Sequence, residues 1–242
     1  MTPIAERIAH IQERIAAAAR RANRGPAEVR LIAITKTHPA ALVAEAYAAG
    51  LRDFGENRVQ EAEEKIASLT GAVANLHPGI TWHLIGHLQS NKAKKAVGLF
   101  DMLHTVDSLR LAAALDRHVQ ESAGQPRDML LQVNVSGEAS KEGFALADWQ
   151  ENTRTLDTFY SEVEHTLALP GLTVRGLMTI APYGVDPLPT FRAARRLREA
   201  LATRFPSADW SQLSMGMSGD FEAAIAEGAT MVRVGTAIFG ER

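Results

Sequence analysis

The stretch LIAITKTHP (Leu31–Pro39) has the pattern of a buried strand that ends on a lysine. Of the five residues that lead to Lys36, only Thr35 is polar. A short, continuous apolar run is typical of a strand that is covered on both faces, as in a parallel sheet. Lys36 has two interpretations. Its ammonium group extends from the strand end into water, or it is a buried amine near another cation, whose lowered pKa suits it to bond with an aldehyde.

The same kind of strand recurs along the chain and alternates with segments of helical spacing. The predicted strands are Val29–Lys36, Asp53–Glu56, Thr81–Gly86, Met102–Val106, Met129–Val135, Val174–Ile180, Gln212–Met215 and Met231–Phe239. The predicted helices between them are Ala40–Ala49, Arg58–Leu69, Asn91–Leu99, Leu109–Ser122, Leu146–Leu167, Leu188–Phe205 and Phe221–Glu227. Such alternation indicates a parallel α/β fold, because each strand must return by a crossover.

Eight strand and helix units in 242 residues favour a closed (β/α)8 TIM barrel. An open, doubly wound sheet remains the alternative, since periodicity does not report closure. Residues 1–25 have isoleucines on one side, at Ile4, Ile8, Ile11 and Ile15, and predict an extra amphipathic helix packed on the barrel. No linker divides the chain, so we expect one domain over residues 1–242.

Composition excludes several classes of function. Lysine and arginine number 26 against 28 acidic residues, so the formal charge of −2 offers no broad attraction for nucleic acid. The absence of cysteine excludes disulfides and thiolate metal sites, and we expect no metal. The sequence shows neither a continuous apolar leader nor a membrane span, so we expect a soluble, cytoplasmic protein.

Polar side chains stand at the ends of the predicted strands. In a parallel barrel these ends meet at one rim, where binding and catalytic residues collect. In chain order the side chains are Lys36, Glu56, Asn57, His83, His87, Asn134, Ser136, Thr179, Ser214, Arg233 and Thr236. The strand that carries Arg233 neighbours the first strand once the barrel closes. Arg233 is therefore the cation that we expect near Lys36.

Two further stretches suggest a phosphate site. SMGMSGD (Ser214–Asp220) and RVGTAIFG (Arg233–Gly240) follow the last two strands, where barrels commonly bind phosphate through backbone N–H groups and hydroxyls. A structural interpretation also stands, in which Ser218 or Gly219 caps a helix and Gly235 avoids a packing clash. An amine, a phosphate site and an arginine together describe a site for pyridoxal 5′-phosphate (PLP).

Eight stretches together resemble the YggS/PROSC family of PLP homeostasis proteins, which is related to the N-terminal barrel of alanine racemase. They are LIAITKTHP, FGENRVQEAEEKI, WHLIGHLQSNK, HTVDS, LQVNVSGEASKEGF, GLMTIAP, LSMGMSGDFEAAI and VRVGTAIFG. The resemblance spans nearly the whole chain. It implies a PLP-binding barrel that takes part in PLP homeostasis and delivery.

The resemblance also implies roles for individual residues. Lys36 would form the Schiff base, and Arg233 would face the pyridine nitrogen. Ser214, Gly235 and Thr236 would hold the phosphate, with Gly216 beside them, and Asn57, His83 and Met178 would line the ring pocket. His83 is equally explained as a hydrogen-bonded core histidine and Met178 as a core residue. We expect His87, His104 and Glu56 to be structural.

We expect no catalytic residues and no substantial turnover. An arginine does not protonate a pyridine nitrogen, so the ring is a poor electron sink and an aminotransferase is disfavoured. A PLP-dependent amino-acid racemase is the alternative, but it needs a second base, and nothing aims Tyr47, Tyr160 or Tyr183 at the cofactor. A barrel aldolase that uses the same lysine ranks third.

The expected partners are PLP and, transiently, PLP-dependent apo-enzymes. The barrel accounts for the length of the sequence, so we expect that the second domain of the racemases, with its dimer interface, is absent and that the protein is a monomer. Lys141, in the loop SGEASKEGF, is a further lysine that could take or pass on the aldehyde. A loop lysine is usually solvated, so it is not included in the predicted site.

Overall fold

The computed structural model describes residues 3–72 and 79–240. Its strands are β1 (Arg30–Ile34), β2 (Asp53–Glu56), β3 (Thr81–Leu84), β4 (Met102–Val106), β5 (Arg127–Asn134), β6 (Phe144–Ala145), β7 (Leu172–Met178), β8 (Gln212–Ser214) and β9 (Met231–Val234). Its helices are α1 (Ile4–Arg21), α2 (Ala40–Ala48), α3 (Val59–Ala72), α4 (Ala93–Leu99), α5 (Leu109–Glu121), α6 (Thr153–Leu167), α7 (Leu188–Arg204), α8 (Phe221–Ala226) and α9 (Thr236–Phe239). Short 3-10 turns lie at Pro26–Glu28 and Ser90–Lys92.

Eight parallel strands form a closed barrel. Neighbours pair in the order β4, β3, β2, β1, β9, β8, β7 and β5, and β4 also pairs with β5, which closes the ring. The two-residue β6 is added beside the end of β5. An open, doubly wound sheet would leave two strands with one neighbour each, whereas each of these eight strands has two. The predicted (β/α)8 barrel is therefore confirmed.

Strand β1 shows why its sequence is apolar throughout. Leu31 and Ala33 belong to the large core between the strands and the surrounding helices. Ile32 and Ile34 belong to a second cluster inside the barrel, with Met102, Leu130, Met178 and Met231. Alternate side chains of a strand point to opposite faces, and here both faces are buried. Ile34 is thus the inward residue nearest the end of the strand.

The predicted N-terminal helix is present as α1. Its buried isoleucines are those expected from the sequence, Ile4, Ile8, Ile11 and Ile15. The helix contacts α2, α8 and α9 on the outside of the barrel. It ends at Arg21, and the chain then forms the 3-10 turn that starts at Pro26 and leads into β1.

Two predicted boundaries are wrong by five residues or more. The last strand ends at Val234, and Thr236–Phe239 is a helical turn, because the backbone turns away from the sheet at Gly235. Helix α6 begins at Thr153 and not at Leu146, since the side chain of Asn152 accepts a hydrogen bond from the Thr155 backbone N–H (3.3 Å) and caps the helix there. In the ranges 3–72 and 79–240, none of the helices has the length and apolar character needed to cross a bilayer.

The packing of α1 gives a direct test of the fold. Ile11 is 1% exposed, and Ile11→Ala should lower the free energy of unfolding by about 2–5 kcal/mol, because it leaves a cavity in the core. Glu13→Ala on the exposed side of the same helix is the control and should change it by less than about 0.5 kcal/mol. Urea unfolding followed by circular dichroism measures both, and equal, small effects would contradict the packing of α1.

Candidate functional site

A cavity opens at the rim where the strands end, and we call it the Lys36 cavity. Its lining residues are Ile34, Lys36, His38, Ile85, Met217, Ser218, Arg233, Gly235, Thr236 and Gly240. These residues come from β1 and β9 or from the segments that follow β1, β3, β8 and β9. The inward-facing Ile34 and the adjacent Ile85 connect the cavity with the apolar cluster inside the barrel.

The structure places four of the predicted residues together at this cavity. They are Lys36, Arg233, Gly235 and Thr236. The parallel pairing of β1 with β9 explains why, since Ile32 is opposite Arg233 and Ala33 is opposite Val234. The two strands therefore end side by side and bring Lys36 next to Gly235 and Thr236.

Ser214 and Gly216 do not line the Lys36 cavity. Ser214 has no exposed surface, and its Oγ contacts Arg233 Nη1 (2.7 Å) and His104 Nδ1 (3.0 Å) inside the barrel. As the last residue of β8 it points inward, and its contact with a phosphate stays a prediction. Gly216 has φ +91°, and a Cβ there would lie 2.6 Å from Ala224 Cβ, so this glycine is required for packing.

The three residues predicted to line the ring pocket do not line the Lys36 cavity. His83 and Met178 have no exposed surface, because their strand positions point into the barrel. Both are buried in the core, and a contact of either residue with a bound cofactor stays a prediction. Asn57 is half-buried and packs closely against Gly86. A Cβ added to Gly86 would lie only 2.7 Å from Asn57 Cα. Its buried Oδ1 has no hydrogen-bond partner in the described residues, so a ligand contact for Asn57 stays a prediction.

A chain of hydrogen bonds runs through the barrel below Arg233. Arg233 Nη1 donates to Ser214 Oγ, Ser214 contacts His104 Nδ1, His104 Nε2 contacts His83 Nδ1 (2.9 Å), and His83 Nε2 contacts Asp53 Oδ1 (3.0 Å). A guanidinium is only a donor and a carboxylate is only an acceptor. Arg233 therefore donates to Ser214 Oγ at one end, and His83 donates from Nε2 to Asp53 Oδ1 at the other.

Burial controls the charges in this chain. It lowers the pKa of His104 well below its ordinary value, and the nearby His83, Arg233 and Arg30 lower it further. Burial also lowers the pKa of Arg233 to about 10, an effect that Asp220 opposes. Arg233 is thus still a cation at neutral pH. Its Nη2 donates to the Thr179 carbonyl oxygen (2.9 Å), so the guanidinium is held from two sides.

Several lining residues were missed by the sequence reasoning. Ser218 and Met217 lie in the turn after β8, where the Asp220 carboxylate accepts a hydrogen bond from the Met217 backbone N–H (2.6 Å). Asp220 is the N-cap residue of α8, so neither Ser218 nor Gly219 caps that helix. The stretch SMGMSGD contains both serines, and the sequence favoured Ser214 because it stands at the strand end, whereas Ser218 is the one that lines the cavity. His38 packs against Phe239, with ring centroids 5.2 Å apart.

The chain is similar to known proteins along nearly its whole length. The alanine racemase N-terminal domain profile matches residues 7–242. A pyridoxal phosphate homeostasis protein of Pseudomonas aeruginosa is 47% identical over 243 residues, which cover 100% of this chain and 97% of the relative. One of Escherichia coli K12 is 43% identical over 245 residues, covering 100% and 98%. The chain belongs to the family of pyridoxal phosphate homeostasis proteins.

Solved structures agree with the family assignment. PipY of Synechococcus elongatus, solved with PLP bound, is 43% identical, with a TM-score of 0.80 over 98% of this chain and 100% of PipY. Alanine racemase of Clostridium difficile shares the fold at 14% identity, with a TM-score of 0.65 over 96% of this chain but 56% of the racemase. The resemblance seen in the sequence is confirmed.

A second, larger cavity of about 530 Å³ lies at the same rim and contains His87, Asp107, Arg110 and Glu142. Ligand atoms of His87, Asp107 and Glu142 lie within 4.8 Å of one another and could hold a metal. His87 and Glu142 are exposed, and exposed acidic groups often occur together without an ion, so we assign no metal site. Lys141 is half-buried, with Nζ 3.8 Å from Glu138 Oε2. By volume alone this cavity would be the first candidate for a binding site, but the Lys36 cavity contains both Lys36 and the buried Arg233.

The buried histidine chain predicts a pH dependence of stability. In the unfolded chain His104 has a pKa of about 6.5. In the folded protein its pKa is well below that value, so it stays unprotonated at pH values where the unfolded chain binds a proton. The free energy of unfolding should therefore fall as the pH drops below about 6.5, by about 1 kcal/mol from pH 7.5 to 5.5 for this residue. His104→Gln, which stays neutral, should remove that contribution in urea unfolding at the two pH values.

His165→Gln is the matched control, because His165 is exposed near the end of α6. This variant should keep the pH dependence of the wild type. An unchanged pH dependence in His104→Gln would contradict the assignment of His104 as a buried neutral group.

Proposed function

We propose that this protein binds PLP reversibly through a Schiff base on Lys36 and takes part in PLP homeostasis and delivery, without substantial catalytic turnover. The observation that carries the proposal is the meeting of Lys36 and the buried cation Arg233 in one rim cavity with Gly235 and Thr236. Relatives that are 40–47% identical over the whole chain are named for PLP homeostasis, which supports it.

The donors of the Lys36 cavity fit the chemistry of PLP. The hydroxyls of Ser218 and Thr236 and the backbone of Gly235 are suited to phosphate oxygens. A side chain at Gly235 would crowd β1, since an added Cβ would lie 3.3 Å from Ile34 Cβ. Arg233, a donor that remains charged, is suited to the unprotonated pyridine nitrogen. Contacts of PLP with Asn57, His83, Met178, Ser214 and Gly216 stay predictions, since none of these five residues lines the Lys36 cavity.

PLP supplies an electrophilic aldehyde. The Lys36 amine nitrogen forms a C=N bond with the aldehyde carbon, and the aldehyde oxygen leaves as water with the two amine hydrogens. Addition of water reverses the bond and frees the cofactor. This equilibrium needs no further reactant, so the same lysine can hold PLP and release it.

The surroundings of Arg233 favour binding over catalysis. A pyridine nitrogen that faces a donor-only cation is not protonated by it, which weakens the ring as an electron sink. Racemisation requires a second acid or base on the other side of the substrate carbon. In the described residues none of the tyrosines lines the Lys36 cavity: Tyr47 contacts Arg52, Tyr160 packs on Phe205, and Tyr183 is 99% exposed.

We further infer that residues 1–242 act as one cofactor-binding unit with the N-terminal helix packed on it. We expect the unit to work in the cytoplasm as a monomer and to give PLP to apo-enzymes in transient encounters. Size-exclusion chromatography with light scattering measures the oligomeric state, and transfer to an apo-enzyme is measured by the recovery of its activity.

Lys36→Ala should abolish the covalent link to PLP and leave the fold intact. Wild-type protein mixed with PLP should show visible imine absorbance, and borohydride reduction should fix one cofactor on Lys36, as mapped by peptide mass spectrometry. Lys95→Ala, an exposed lysine, is the control and should behave as the wild type. Unfolding of Lys36→Ala by circular dichroism would show that the lysine is structural, and a wild-type protein that takes up no PLP would refute the proposal.

The PLP-loaded protein should convert no L-alanine to D-alanine above the rate of free PLP. The physical reason is that none of the described tyrosines, the residue type that supplies the second base in alanine racemases, lines the cavity. Chiral chromatography after incubation with L-alanine and other L-amino acids measures this. A turnover on the order of one per second or more would make racemase the leading function.

A further inference from the structure

Both neighbours of Lys36 in the chain are held by three charged side chains that do not line the Lys36 cavity. They are Glu56 at the end of β2 and Glu61 and Lys65 on α3, all within the stretch FGENRVQEAEEKI. We call them the Glu56–Lys65–Glu61 cluster. The proposed function uses none of these three residues.

Lys65 is the centre of the cluster. Its side chain is 5% exposed, and its Nζ lies 2.6 Å from the Thr35 carbonyl oxygen, 2.5 Å from Glu56 Oε1 and 3.3 Å from Glu61 Oε1. An ammonium group has three hydrogens to donate, and here each has an acceptor. Lys65 therefore has no lone pair available and does not compete with Lys36 for an aldehyde.

Glu56 and Glu61 hold the residues on either side of Lys36. Glu56 Oε1 accepts a hydrogen bond from Thr35 Oγ1 (2.6 Å), and Glu61 Oε1 accepts one from the Thr37 backbone N–H. The Thr37 backbone has φ +65°, which is unfavourable for a β-branched residue. Such a conformation persists only where surrounding contacts hold it. Thr37 is the point at which the chain leaves β1 just after Lys36.

Stability alone does not explain this cluster. The Glu56 side chain is completely buried, and burial raises the pKa of its carboxyl, while hydrogen bonds from Lys65 and Thr35 oppose the rise. Replacing a buried ion pair by apolar residues of similar volume is often neutral or stabilising. A buried pair that grips the backbone beside the proposed cofactor lysine is better explained by positioning.

We propose that the Glu56–Lys65–Glu61 cluster positions Lys36, by fixing the backbone at Thr35 and Thr37 so that the amine meets the aldehyde of PLP held in the cavity. This inference rests on the proposed function. Lys65 acts as a positioning residue through its charge and its hydrogen bonds, and it forms no bond with the cofactor.

The test compares PLP with 4′-deoxypyridoxine 5′-phosphate, which carries the ring and the phosphate but no aldehyde. Lys65→Met removes the ammonium and keeps the length of the side chain. We expect it to slow the formation of the imine absorbance, and to weaken PLP binding, by about tenfold or more, because small misplacements of reacting groups have large effects. Binding of the deoxy compound should change less than about twofold, since Arg233 and the phosphate donors are untouched.

Two more variants make the result decisive. Glu61→Ala changes a side chain that is 26% exposed and removes the acceptor of the Thr37 N–H. It should slow imine formation and weaken PLP binding as Lys65→Met does. If Lys65→Met does not fold, Glu61→Ala alone tests the positioning role. Lys95→Met is the matched control, because Lys95 pairs with Glu63 (2.6 Å) between exposed side chains on α4 and α3 and should change neither ligand's binding.

The outcomes separate this inference from the proposed function. If wild-type protein forms no imine with PLP, the proposed function fails and the inference fails with it. If wild-type protein forms the imine and the folded variants form it at the same rate, only the positioning role is overturned. If the variants lose affinity equally for PLP and for the deoxy compound, the positioning role is also overturned, because that result indicates general damage to the cavity.

Discussion

The parallel pairing of β1 with β9 is the constraint on which the site depends. This pairing joins the first and last strands of the barrel. It brings Lys36 to the rim beside Gly235 and Thr236, from which it is separated by about 200 residues in sequence. Arg233 lies on β9. Its side chain is directed into the barrel and donates to Ser214 Oγ and to the Thr179 carbonyl oxygen. An amine and a fixed cation thus share one cavity because the sheet is closed.

The interior below Arg233 is unusual for a barrel core, because a polar chain crosses it. The Asp53, His83, His104 and Ser214 side chains connect the buried guanidinium with a partly exposed carboxylate. Each buried polar group in this chain has a partner, which avoids the large cost of an unpaired group. The chain conducts no proton to the cavity, because the guanidinium at its end is a donor only. Its effect is to hold Arg233 in one orientation.

Much of this could be predicted from the sequence, and the failures have physical causes. The alternation of strands and helices predicted the barrel, and Lys36, Arg233, Gly235 and Thr236 meet at the cavity because strand ends share a rim. The sequence could not show whether Ser214 faces the barrel interior or the cavity, because the direction of a short strand's last residue depends on register. Ser218 lies in a turn whose shape no periodicity reports.

Burial and backbone conformation were equally hidden from the sequence. His83 and Met178 stand on barrel strands, and only the closed ring shows that they point into its packed interior. The positive φ of Thr37 was invisible, since threonine gives no sign of it. The partners of Lys65 come from a strand end and from the preceding helical turn, a combination that three-dimensional packing alone reveals.

A crystal structure of the protein soaked with PLP tests the central claim most directly. The account predicts continuous electron density from Lys36 Nζ to the ring, the phosphate against Gly235, Thr236 and Ser218, and Arg233 opposite the pyridine nitrogen. Density for PLP only in the larger cavity near His87 and Glu142, or none at Lys36 with the ligand in excess, would contradict it.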